Sequence, residues 1–126
     1  MDMDAKTARR ITEENKKRMR KKWEEEERQR KKEVIDRFNI ANFLEEIFKE
    51  IEVSSKEGDN SVSYDLCRFE GSWHKDRLEE QRIIGEHLVG LLRHKGFKAE
   101  CNKETFTSGG EYFGIDTLII YIAIAW

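Results

Sequence analysis

Residues 118–126 read LIIYIAIAW, the one continuously apolar run in the chain. Nine residues fall well short of the ~20 that a membrane-spanning helix needs. The isoleucines and the aromatics at this length suit a β-strand instead. Leu118, Ile120, Ile122, Ile124 and Trp126 would fill one face of that strand, and Ile119, Tyr121, Ala123 and Ala125 the other. A strand with no polar face is predicted to occupy the centre of its sheet.

Two strands are available to flank it. Phe97, Ala99 and Cys101 alternate with Lys98 and Glu100, and TSGGEY at 107–112 supplies glycines for a hairpin into the apolar run. Upstream, the turn cluster SKEGDNS at 55–61 precedes Val62, Tyr64 and Leu66, which alternate with Ser63 and Asp65. Between these strands lies the connection GSWHKD at 71–76, followed by Leu78, Ile84, Leu88, Leu91 and Leu92 at helical spacing. Gly96 stops that helix by taking the left-handed position, with Phe97 just beyond. Gly85 and Gly90 inside it each cost about 1 kcal/mol relative to alanine, which predicts close backbone packing at both. A strand, a crossover helix and a second strand run parallel, and the apolar strand fits between them antiparallel to both. Ile40, Phe43, Leu44, Ile47, Phe48 and Ile51 recur at three and four and give a further core helix.

The reading is an α+β fold: a small three-stranded mixed sheet of order 2-3-1 with two helices on one face, plus a long charged N-terminal helix. The sheet's other face would present Ile119, Tyr121 and Ala123 as a self-association face, or take the N-terminal helix over it.

The N-terminal part is a different kind of sequence. KKRMRKKWEEEE at 16–27 has six cations in its first seven positions and four carboxylates at its end. The chain contains no proline, so a long helix is permitted. Asp4 is a suitable N-cap, and Thr12 with Glu13 and Glu14 offers a second start. Ala8, Ile11, Met19 and Trp23 trace a thin apolar seam that Asn15 interrupts. Residues 1–37 hold 14 Lys and Arg against 10 Asp and Glu, a net of +4, whereas 38–126 hold 10 against 16, a net of −6. The division expected is a charged helical arm at 1–37 and a compact domain at 38–126. The near-zero total of −2 argues against a polyanion binder acting through the whole molecule.

Within a helix, Glu24, Glu26 and Glu27 stand four before Arg28, Arg30 and Lys31, and Arg20, Lys21 and Lys22 four before Glu24, Glu25 and Glu26. Such pairs predict a segment that neutralises itself. Lys16, Lys17 and Arg18, with Arg9 and Arg10, remain for nucleic acid or another partner, and Trp23 reads as a packing anchor beside them.

No catalytic constellation is present. SGGEYFG at 108–114 lacks the Lys-Ser or Lys-Thr of a P-loop. His87 and His94 are seven apart and with Cys101 match no zinc spacing, and His74 stands alone. Cys67 and Cys101 sit in strands where burial disfavours the thiolate, and a reducing compartment suits them. Glu45 with Glu46, and Glu79 with Glu80, lie on solvated helix faces. No metal or other cofactor is expected, and a binding protein is favoured over an enzyme. MDMDAKTARR at the N-terminus has no apolar run of a secretory signal, so the expected compartment is the cytoplasm, with no membrane partner.

AKTARRITEEN at 5–15, FLEEIFKEIEVSSKEGDNSVSYDL at 43–66, LVGLLRHKGFKAE at 88–100 and the closing IAIAW at 122–126 together resemble a class of small bacteriophage proteins of unassigned function. The resemblance implies a phage product acting inside a bacterial host, and it transfers no functional residue. The leading expectation is a non-enzymatic accessory protein that binds a host macromolecule for host takeover or counter-defence. Nucleic-acid binding through the basic arm, and an oligomeric scaffold or small-ligand sequestering assembly, stand as alternatives.

Overall fold

The computed structural model describes residues 3–70, 75–108 and 115–126. His74 and nearly all of the SGGEYFG loop lie outside the described residues. The elements run α1 (Ala5–Arg37), α2 (Ile40–Lys56), β1 (Ser61–Glu70), α3 (Lys75–His94), β2 (Lys98–Ser108) and β3 (Ile115–Ala125). The chain divides into two units, Met1–Glu33 and Val34–Trp126. Val34, at 4% exposure, belongs to the core of the second.

In the first unit Asp4 caps α1: its carboxylate accepts from the Thr7 backbone N–H at 2.7 Å. Bonding to Thr7 lowers its pKa below the ordinary carboxylate value. No second start is needed at Thr12, whose hydroxyl donates back to the Ala8 carbonyl at 2.9 Å within the helix. The self-neutralising ladder is a correction. Glu27 and Arg30 pair at 3.0 Å, but among the described residues Arg20, Lys21, Lys22, Glu24, Glu25 and Glu26 close no ion pair. An exposed pair of this kind is worth only about 0.2–0.5 kcal/mol, so it adds little whether it closes, as Glu52 and Lys56 do at 3.0 Å in α2, or stays open.

In the second unit the strand order is β1-β3-β2, so the apolar strand is central as its composition predicts. Both ladders are antiparallel, which leaves β1 and β2 pointing the same way on either side of β3. Leu118, Ile120, Ile122 and Ile124 are at most 4% exposed and face the helices. Ile47 and Ile51 of α2 and Ile83, Ile84, Leu88, Val89 and Leu92 of α3 complete the layer with Tyr64 and Ala99. Full burial of each large aliphatic side chain stabilises by about 1.5–3 kcal/mol, so this single layer carries the fold.

Asn39 caps α2, its side chain accepting from Asn42 N–H at 3.2 Å. Gly96 ends α3 at φ 95°. There Phe97 N–H reaches the Leu92 carbonyl at 3.2 Å and Gly96 N–H the Arg93 carbonyl at 3.0 Å, the bond pair of a Schellman cap. Phe97 then packs on Phe48, ring centroids 6.5 Å apart, with Lys95 Nζ 5.6 Å from the centre of the Phe48 ring.

Val62, Tyr64 and Leu66 lie against the core as their alternation predicts. The register of β1 slips between Asp65 and Cys67, so Leu66 is the extra residue of an irregularity and Cys67 takes the place opposite Ile120. Two further expectations are corrected. Gly85 is held tightly, but a Cβ at Gly90 would meet nothing within 4 Å, so only the first reflects close packing. Trp126 lies one residue beyond β3 and is 39% exposed rather than packed.

Candidate interaction surfaces

Partners in an antiparallel ladder point to the same face, so the register defines the sheet face opposite the helices. Its centre is Ile119, Tyr121, Ala123 and Ala125, all half-buried. On the β1 side stand Ser61, Ser63, Asp65 and Arg68, opposite Ala125, Ala123, Tyr121 and Ile119. On the β2 side stand Lys98, Glu100, Asn102 and Glu104, opposite the same four. The result is an apolar stripe one strand wide between two charged and polar borders. It ends at Thr117, 1% exposed. The predicted residues Ile119, Tyr121 and Ala123 are therefore brought together on one surface.

The other end of this face holds a depression of about 810 Å³ that sequence reasoning missed. Its floor is small, formed by Ser61, Ser63, Ala123 and Ala125, and Arg93, Lys98 and Glu100 contribute charge around it. Arg93 is placed by a hydrogen bond from its Nε to the Ala99 carbonyl at 2.9 Å, which ties the end of α3 to the edge strand. The signal was the coincidence of two small residues in β1 with two in β3. Only the register shows that they are neighbours.

Arg9, Arg10, Lys16, Lys17, Arg18 and Trp23 are all exposed on α1, with Trp23 at 62%. At 100° per residue, Arg9, Lys16 and Trp23 recur every seven positions along one side. Arg10 and Lys17 share the next, and Arg18 lies further round. The helix thus groups three of the six and spreads the rest over half its circumference. Trp23 packs against nothing that buries it, so its reading as an anchor has no support within the described residues.

Burial raises the pKa of three titratable groups of the second unit. The Tyr64 hydroxyl donates to Glu46 Oε2 at 2.5 Å. Burial, then that bond and the charges of Glu46 and Glu50, push its pKa far above the ordinary phenol value. Burial likewise raises the thiols of Cys67 and Cys101, which are free. They flank β3 on opposite sides, opposite Ile120 and Ile122. That separation of two strand spacings, about 9–10 Å, is too wide for a disulfide. His87 is half-buried and His94 exposed. Among the described residues no three His, Cys, Asp or Glu are grouped to hold a metal, and no helix is long and apolar enough to cross a membrane. Compared with protein-family models, curated proteins and solved structures, the chain matches none.

Proposed function

We propose that this chain is a non-enzymatic accessory protein of the bacteriophage type, acting in the cytoplasm of a bacterial host by binding a host protein. The observation that carries this reading is the stripe Ile119-Tyr121-Ala123-Ala125, which the helices of its own unit leave uncovered while they seal the opposite face. Apolar area rimmed by polar residues is the usual form of a protein contact. The small-floored depression beside Ala123 would receive a partner's protruding side chain, as interface anchors require. Binding and occupying a host component in this way would serve host takeover or counter-defence.

The test is capture from host lysate with tagged wild type beside Ala123→Arg, which places a long cation on the stripe without touching the core. The reading expects a stoichiometric partner held by wild type and lost by Ala123→Arg at unchanged circular dichroism. Capture of nothing across several hosts, or equal capture by both proteins, overturns it.

A second reading is favoured by the exposed Arg9, Arg10, Lys16, Lys17 and Arg18 on α1, which could bind the phosphates of nucleic acid. Neutralising phosphates releases counterions, so affinity would fall linearly with log salt, and deletion of residues 1–22 would abolish it. Binding that survives the deletion excludes the arm.

A further inference from the structure

The depression beside Ala123 has a cationic side: Arg93 lines it from the end of α3 and Lys98 from the start of β2. The Arg93 Nε donates to the Ala99 carbonyl at 2.9 Å. That bond orients the guanidinium and leaves its two terminal amino groups with no acceptor among the described residues. Lys98 is exposed and closes no ion pair among the described residues, although Glu100 follows it on the same face of β2. The floor of Ser61, Ser63, Ala123 and Ala125 offers two hydroxyls and two methyl groups and no long side chain. We propose, resting on the host-protein contact argued above, that the side chain a partner inserts here is acidic, an aspartate or glutamate flanked by an apolar residue.

The fork of a guanidinium matches the two oxygens of a carboxylate. Lys98 adds a second positive charge, and the serine hydroxyls are free to donate to an oxygen that remains. The apolar neighbour covers Ala123 and Ala125 and continues along the stripe toward Tyr121. Around the depression the cations of Arg93 and Lys98 stand against the carboxylate of Glu100, so one added negative charge is balanced and a second is not.

That balance separates an acidic side chain from a polyanion. Residues 38–126 hold 10 Lys and Arg against 16 Asp and Glu, a net of −6, and Asp65 and Glu104 border the same face. A field of that sign repels a run of phosphates. The occupant is therefore a protein segment with a single acidic anchor, and its charge sets orientation and specificity more than affinity.

Nuclear magnetic resonance of the isotope-labelled full chain tests this with two capped peptides, acetyl-Leu-Glu-Leu-amide and acetyl-Leu-Gln-Leu-amide. The glutamate peptide is expected to shift the backbone signals of Ser63, Lys98 and Ala123 and the side-chain Nε signal of Arg93. It is expected to bind at least about tenfold more tightly than the glutamine peptide, as a hydrogen bond to a charged group allows. Lys98→Glu should abolish the preference, and Arg93→Lys, which keeps the charge and loses the fork, should reduce it. The ratio of the two affinities is the quantity read, because a merely loosened fold weakens both peptides alike. Equal binding of the two peptides by the wild type overturns the acidic anchor. So does an absence of shifts at these residues with millimolar peptide, or a preference that Lys98→Glu leaves unchanged. None of these results bears on the host-protein contact itself, which stands or falls with capture by wild type against Ala123→Arg.

Discussion

Gly85 of α3 stands against Cys101 of β2 so closely that a Cβ on the glycine would lie 2.5 Å from the Cys101 Sγ and 3.4 Å from Leu66 Cδ2. The helix therefore sits on the sheet at a distance that only glycine permits, next to the irregularity that displaces Leu66. Alanine at 85 should destabilise the fold by about 1–3 kcal/mol through overpacking, against a helix-propensity gain of about 1 kcal/mol. Cys101→Ala removes the obstructing sulfur, so Gly85→Ala should cost far less in that background. Urea unfolding of the four proteins measures the coupling, and additive effects would show that the two residues do not touch.

Gly90 supplies the opposite case in the same helix. Nothing lies within 4 Å of its missing Cβ, so Gly90→Ala should stabilise by up to about 1 kcal/mol through helix propensity alone. A shift of the urea midpoint to higher concentration with unchanged slope is the expected result.

Tyr64 gives the fold an alkaline limit. Its pKa is raised by burial first, then by the bond to Glu46, so the folded state holds the neutral phenol while the unfolded chain ionises near pH 10. Stability from this group is complete below that unfolded value and is lost as pH rises beyond it. The buried thiols act in the same direction from about pH 8.5. Thermal unfolding followed from pH 7 to pH 11 should fall above pH 9, less steeply in Tyr64→Phe. At pH 7 that variant should lose only about 1 kcal/mol, because exposed Glu46 regains water.

How much of this was legible in the sequence differs by element. The central place of β3 followed from Leu118 to Trp126, since a strand apolar on both faces has few other places to go. The two core helices followed from their periodicity, and the caps from Asp4 and Gly96, because such signals are local. The contacts that needed the third dimension were not legible. Gly85 and Gly90 look alike until Cys101 arrives from 16 residues further along. Nothing in the alternation of Val62, Tyr64 and Leu66 announces the slip that follows at Cys67. The depression is built from Ser61, Ser63, Ala123 and Ala125, which belong to two strands distant in the chain. Of the ion-pair ladder that the spacing of α1 offers, Glu27 closes with Arg30 while Arg20, Lys21, Lys22, Glu24 and Glu25 close no ion pair among the described residues, because pair spacing reports opportunity and solvent decides the outcome.

The one-sided burial of β3 underlies both the packing of this domain and the proposed contact surface, and two neighbouring residues of identical chemistry test it. Ile120 is 1% exposed beneath the helices, whereas Ile119 is half-buried on the opposite face. Urea unfolding of Ile120→Ala should show a loss of about 2–5 kcal/mol, and Ile119→Ala a loss of roughly 1 kcal/mol or less for a partly exposed side chain. Equal losses at the two positions would contradict the account, because they would mean that both faces of the strand are sealed within the chain.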